Sequence, residues 1–460
     1  MKPSIVPLPV LALWLTLISG VEPTLMAQQV PGGPRQSSTA TGQTLRLTKP
    51  PTPSVLRVNL GQGNQEALGS TDAAALSDDG AWLAFSSLAS NMVGNDGSGL
   101  RDVFLRNLTT GEVLLASHDL QGNPADAPSG GAVDISADGR YVAFDSWASN
   151  LVSGDAPGTL DVFVYDRVTD VVSLVSRSTA GAAGNAASAE ASLSADGRYV
   201  AFSSWADNLV VTDLNGQQDV FLHELATGIT VRVSEDASGA GGIGLSHSPD
   251  LSADGQFVAY SSRANNLVSE PLSVYHYIFV HDTLSGETWH ASKNSLGEHA
   301  WGNSDTRPSI SADGRLVAFA SEAYNLAESP DLNWVSDVFV HDHLTGITSR
   351  VSVATDGSEA SGASVLPSLS ADGSLIAFTS GAADLVLDDS NGAADIFVHD
   401  LLGGATRMYS LAADNSAGNA NSDSATLSAD GRWLLFGSSA SDLVLADDNG
   451  ARDVFLRALP

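Results

Sequence analysis

The chain has 460 residues, with 53 acidic against 21 basic side chains and a net charge of −32 at neutral pH. That balance repels nucleic acid and anionic membrane surfaces, and no Lys/Arg cluster offsets it locally. There is no cysteine, which excludes disulfides and a lipid-modified cysteine behind a leader, and suits a periplasm or cell exterior without requiring it.

In chain order, residues 1–27 read as a secretory signal. Lys2 is the only charge before an apolar stretch from Ile5 to Ile18, and Leu25-Met26-Ala27 offers a cleavage site. Pro7 and Pro9 interrupt the apolar stretch, which is short for a membrane span. Residues 28–50, rich in Gln, Gly, Ser, Thr and Pro, read as a flexible linker. The expected location is periplasmic or secreted, with no transmembrane segment after cleavage.

From residue 51 to 460 one phrase keeps returning. Ser-Ala-Asp-Gly or a close variant ends at Gly80, Gly139, Gly197, Gly255, Gly314, Gly373 and Gly431, at spacings of 58 or 59. A fixed period of this size marks a solenoid, propeller or array. The unit content selects the propeller. In the third unit a short apolar segment (Leu193) precedes the turn. Arg198 to Ser203, Asp219 to His223 and Thr230 to Ser234 follow as strand runs, with Thr227-Gly228 as a second hairpin turn. Four short strands per unit, with no helical period, make a blade. Runs such as Val220-Phe221-Leu222 are apolar on both faces, as expected of a sheet covered on both sides.

The seventh unit supplies only three strands, ending in Asp453 to Leu459. Ser54 to Leu60 has the register of the missing one, because Val58 precedes Gly80 by 22 residues, as Val233 precedes Gly255 and Val351 precedes Gly373. The predicted fold is therefore an all-β, seven-bladed propeller of four-stranded antiparallel blades, with the last blade closed by the N-terminal strand. Closure pairs edges that would otherwise be sticky.

The stretch Leu193 to Phe202, nearly repeated at Ile135 to Phe144, resembles the repeat of TolB-type propellers, with Ala in place of the family's Pro after Ser. The Asp-Val-Phe strand and the Thr-Gly turn match as well. The resemblance implies the propeller fold over all seven units. The N-terminal α/β domain of TolB has no counterpart here, and the family has six blades, so the resemblance does not carry that family's lipoprotein partners to this chain.

Several residues stand out as candidate sites. Three loops between second and third strands read Asp-x-Asn-Gly-x-x-Asp: Asp213, Asn215, Asp219; Asp389, Asn391, Asp395; and Asp447, Asn449, Asp453. Alternating Asp and Asn can supply oxygens to Ca²⁺, and the loops look like the calcium loops of integrin-type propellers. The third alternating acid of those loops is missing, and an Asn-Gly turn with capping carboxylates gives the same pattern. His223, His281, His341 and His399 share one repeat position, and points spread around a ring cannot converge on one metal.

Along the expected channel the units are irregular, and Glu190, His247, Asp250 and Arg307 are candidate ligand-binding residues. Units four and five break the pattern furthest. Six of the chain's sixteen Trp and Tyr fall there, including Tyr275, Tyr277 and Trp334, which makes this sector the candidate partner surface. No nucleophile elbow, zinc-protease helix, phosphate loop or dinucleotide fingerprint is present.

The leading expectation is an exported, non-enzymatic, monomeric scaffold that binds a protein, peptide or glycan. Two alternatives are kept: a polysaccharide hydrolase or lyase using channel carboxylates, and a calcium-stabilised cell-surface protein.

Overall fold

A computed structural model describes residues 55–460 except 97, 98, 156, 330 and 446. The expected signal and linker over residues 1–50 lie outside the described residues. Within them, seven sheets of four antiparallel strands follow one another around a ring. Blade three is representative, running Ser188–Leu193, Tyr199–Ser204, Asp219–Glu224 and Ile229–Arg232 from the ring's centre outward.

The seventh sheet closes as expected. Val55–Arg57 pairs with Asp453–Ala458, in the register Val55 to Arg457 and Arg57 to Phe455. The inner strands of blades one and seven lie against each other, so no inner edge is left open.

The period follows from what each repeated residue touches. The second and third strands of a blade are buried, and each pair sets one aromatic ring opposite another. The pairs run from Phe85 with Phe104 through Tyr260 with Phe279 to Phe436 with Phe455, with centroids 5.7–6.0 Å apart. Burying each such ring contributes roughly 2–3 kcal/mol.

The Asp-Gly turns carry two jobs. The Asp carboxylate accepts the turn Ser hydroxyl, as in Ser194 to Asp196 at 2.8 Å. Gly197 has φ +68°, and a Cβ there would fall 2.4 Å from the Tyr141 ring of the preceding blade, so only glycine fits.

The alanine of the turn also has a reason. Its N–H donates to the carbonyl of the same position in the next blade, in an unbroken series Asp78, Ala137, Ala195, Ala253, Ala312, Ala371 and Ala429, at 2.9–3.2 Å. Proline at this position has no N–H and could not donate. The departure from Ser-Pro-Asp-Gly therefore adds a belt of blade-to-blade hydrogen bonds.

Candidate functional site at the end of the channel

The Asp-Gly turns occupy one face of the ring, and the loops joining second to third strands occupy the other. At that second face the residue before each third strand accepts, through its carbonyl, the N–H that starts the next blade's inner strand, for example Gln218 with Ser246 and His276 with Ser304. Two repeat positions therefore meet at the rim. The inner-strand position carries Asp72, Gly130, Ala189, His247, Asp305, Val365 and Asp423. The pre-strand position carries Arg101, Leu160, Gln218, His276, Ser336, Ala394 and Arg452.

In blades one and seven the two positions make ion pairs, Arg101 with Asp72 at 2.6 Å and Arg452 with Asp423. Between blades four and five they make a different group. Asp305 Oδ1 lies 2.9 Å from His247 Nε2 and 2.8 Å from His276 Nδ1. The two imidazoles stand edge to face, 5.5 Å apart.

Glu190 joins this group from blade three. It accepts the Ser248 N–H at 2.7 Å and the Ser203 hydroxyl at 2.8 Å. Glu190 and Ser248 both sit at inner-strand bulges with positive φ, 60° and 54°. Leu366 and Ser424 take the same conformation at the corresponding bulges of blades six and seven, so it belongs to the repeat, at a cost of about 1–3 kcal/mol each.

Asp250 and Arg307 lie further along the channel and pair at 3.3 Å. With Asp134 they line a cavity of about 430 Å³ whose other walls include Ala74, Val133 and Pro367. Burial pushes Asp250 up to about 6 against the pull of Arg307, and burial raises Asp134 as well. Both carboxylates have structural work. Asp134 accepts the Leu193 N–H at 2.7 Å and Asp250 the Ile310 N–H at 2.9 Å, each from the next blade. Ser309 and Ser368 do the same at this position in blades five and six.

The Asp-x-Asn-Gly loops are closed hydrogen-bonded units. Asn215, Asn391 and Asn449 each accept the N–H two residues on. Each donates its amide to the third-strand Asp219, Asp395 or Asp453 at 2.7–3.1 Å. The other oxygen of that Asp accepts Ser234, Ser410 or Asn59 at 2.5–2.6 Å. An amide turned donor-first toward the carboxylate opposes cation coordination there.

In three blades a guanidinium already stands beside the acids. Arg57 Nη1 is 3.2 Å from Asp447 and 3.3 Å from Asp453, Arg232 Nη1 is 3.7 Å from Asp213, and Arg350 Nε is 3.4 Å from Asp337. The four repeated histidines are buried strand residues. Their Nδ1 atoms lie 2.8–2.9 Å from Thr230, Thr288, Thr348 and Thr406.

The aromatic sector divides. Tyr277 is buried, standing where other blades open the third strand with Asp. From it a chain of rings runs outward through His299, Trp301 and Tyr324 to Trp334, with neighbouring centroids 6.0–6.4 Å apart. Tyr275 packs edge-on to Tyr277 at its inner end. The outer three rings are open to solvent, with Trp334 75% exposed.

Trp334 takes φ +60°, the conformation that Gly216, Gly392 and Gly450 hold in the corresponding turns at 61–66°. Asp331 Oδ1 accepts the N–H groups of both Asn333 and Trp334 at 3.1 Å and holds the turn. The left-handed conformation costs a side-chain-bearing residue about 1–2 kcal/mol. With the indole 75% exposed, its contact with the Tyr324 ring offsets only part of that cost.

Glu190, His247, Asp250, Arg307 and the aromatics stand out in the sequence, whereas Asp305 does not. The signal was available: counted from the Ser or Thr that opens each inner strand, Asp305 shares the position of His247.

No family model and no curated protein matches the sequence. Solved structures do. TolB from Acinetobacter baumannii is 14% identical, with a TM-score of 0.39, over 74% of this chain and 62% of that one. The chain thus spans under two thirds of that TolB. An oligogalacturonate lyase from Vibrio parahaemolyticus is 14% identical with a TM-score of 0.50, over 89% and 97%. A prolyl endopeptidase structure is 12% identical with a TM-score of 0.52, over 86% and 51%. TolB structures thus stand among the neighbours of a chain whose repeat resembles theirs, and the likeness at these identities is one of fold. Among the described residues no helix is long and apolar enough to cross a membrane.

Proposed function

We propose that this protein is a non-enzymatic binding propeller that takes a neutral glycan on the strip formed by Trp301, Tyr324 and Trp334. The observation that supports this reading is Trp334 itself. An indole is held in a glycine conformation and left 75% exposed, with the Tyr324 ring as its aromatic neighbour. Strained, exposed aromatics are what a stacking site needs, since the ring faces offer apolar contact at low conformational entropy.

A glycan is favoured over other ligands for two reasons. The exposed carboxylates Glu322 and Glu328 lie in the sequence around the strip, alongside one exposed aliphatic side chain, Leu332. The net charge of −32 disfavours anionic polymers. The structural employment of Asp134 and Asp250 favours binding over catalysis by channel carboxylates. The setting we propose is the periplasm or the cell exterior, on the sequence pattern of residues 1–27.

Co-sedimentation of the full chain with insoluble neutral polysaccharides (cellulose, chitin, a β-1,3-glucan) tests this. Retention by at least one of them, abolished by Trp301→Ala with Trp334→Ala, supports the reading. Retention by none, or retention unchanged in the double variant, overturns it.

A further inference from the structure

We propose that His247, His276 and Asp305 form a site for one first-row divalent transition metal of the zinc class at the rim between blades four and five. One ligand atom from each residue lies within 4.8 Å of the other two. The three come from separate elements: the inner strand of blade four, the loop before that blade's third strand, and the entry to blade five. Two imidazoles with one carboxylate are a donor set for zinc, manganese, iron or cobalt, and a poor one for calcium or magnesium.

The other blades fill this place differently. At the same two repeat positions, blades one and seven pair an aspartate with a guanidinium, Asp72 with Arg101 and Asp423 with Arg452. In blade four both positions are histidine, His247 in place of the aspartate and His276 in place of the arginine, and the carboxylate facing them, Asp305, comes from the inner-strand position of blade five. A neutral imidazole brings a lone pair where arginine brings a charge. The place the guanidinium fills elsewhere is thereby turned into a place for an ion.

The surroundings orient the donors. His247 Nδ1 lies 2.9 Å from Ser248 Oγ, and that hydroxyl lies 3.3 Å from Glu190 Oε1. Read as a relay, Nδ1–H donates to Ser248 and Ser248 donates to Glu190. This fixes the tautomer in which, with an ion between His247 and Asp305, the Nε2 lone pair is available to it. Such an outer carboxylate commonly holds a metal-bound histidine in place.

His276 is held from both sides of its peptide, its N–H donating to Asn303 Oδ1 at 3.2 Å and its carbonyl accepting the Ser304 N–H at 2.9 Å. Asp305 is half exposed, with its side chain 50% accessible. The remaining coordination positions therefore face solvent at the channel's end and are open to water or to an oxygen of a ligand, as in metal sites that exchange ligands rather than purely structural ones.

The inference stands apart from the glycan-binding reading and is tested with metal alone. The full chain is stripped with chelator and titrated with Zn²⁺ by calorimetry, and separately with Co²⁺ by visible absorption. We expect one equivalent of Zn²⁺ and a Co²⁺ spectrum of low-symmetry nitrogen and oxygen ligation. His247→Ala and His276→Ala each abolish both signals. Ser248→Ala weakens binding by roughly 10–100-fold, the usual effect of removing an outer partner.

His299→Ala, outside the group, leaves the affinity unchanged. Melting curves of the stripped variants show which of them fold. If His247→Ala does not fold, the wild-type Co²⁺ spectrum and the Ser248→Ala titration decide. Absence of a Co²⁺ spectrum and of Zn²⁺ heat in the wild type overturns the proposal. So does binding that survives in folded His247→Ala or His276→Ala.

Discussion

Asn59 donates its side-chain amide to Oδ1 of Asp453 at 2.6 Å across 394 residues of sequence, and Asn59 Oδ1 accepts the N–H of Val454 at 3.1 Å. In five other blades a serine such as Ser234 or Ser410 donates its hydroxyl to the equivalent aspartate. Asn59 stands at that repeat position just after the strand that closes the ring, and it donates on to Thr71 Oγ1 at 2.9 Å in blade one. It therefore ties blade seven to blade one as well as closing the sheet.

Asn59→Ala leaves a fully buried carboxylate without that donor. The expected loss is about 2–3 kcal/mol, the range for a buried hydrogen bond to a charged group. Asn59→Ser, the residue of the other blades, loses less. Urea unfolding of the two variants checks the order.

Arg57 stands where a cation would stand beside Glu66, Asp447 and Asp453, which could otherwise converge on a metal. Millimolar Ca²⁺ is therefore expected to leave the wild-type Tm unchanged. Arg57→Met uncovers the three carboxylates and costs about 3 kcal/mol. Ca²⁺ restores part of that loss in this variant alone. A calcium-dependent rise in the wild type would instead support occupied loops in the native protein.

Burial lowers His341 to about 4, and the residue is fully buried as the neutral ring. Its folded pKa lies below its ordinary value near 6.5, so the unfolded chain binds the extra proton between those limits. The stability it contributes is complete above pH 6.5 and is lost as pH falls toward 4, by up to about 3 kcal/mol. Asp219, Asp337 and Asp447, raised to about 6 by burial, run the other way, losing stability as pH rises from about 4 to 6. Those aspartates are common to both chains and cancel in a comparison. The stability difference between wild type and His341→Asn should therefore fall toward acid pH. A difference that stays flat from pH 7 to 4 would contradict the assignment.

The blades were legible in the sequence because each repeated residue meets the same neighbours in every unit. Gly197 against Tyr141 and Ser194 against Asp196 recur at one period, and Val58 could be placed by counting. The closing strand needed only the distance from Val58 to Gly80. The rim was not legible in the same way. His276 and Asp305 belong to different blades, and their meeting depends on how one inner strand enters beside the previous blade's third strand. The role of Arg57 was hidden for a related reason, since its carboxylate partners are contributed from both ends of the ring. The exposure of Trp334 followed from its turn conformation, which a sequence shows only after the loop is aligned with Gly216, Gly392 and Gly450.

The most direct measurement is made on Trp334→Gly, which restores the residue used in three sister turns. Stability and polysaccharide retention are followed on the same preparation. Relief of the left-handed conformation, about 1–2 kcal/mol, outweighs the roughly 0.4–1 kcal/mol that glycine's freedom in the unfolded chain costs, so Trp334→Gly is expected to be no less stable than the wild type while losing at least tenfold in retention. A variant that is no less stable and still binds as the wild type does would show that the exposed indole is not the binding surface, and would contradict the central claim.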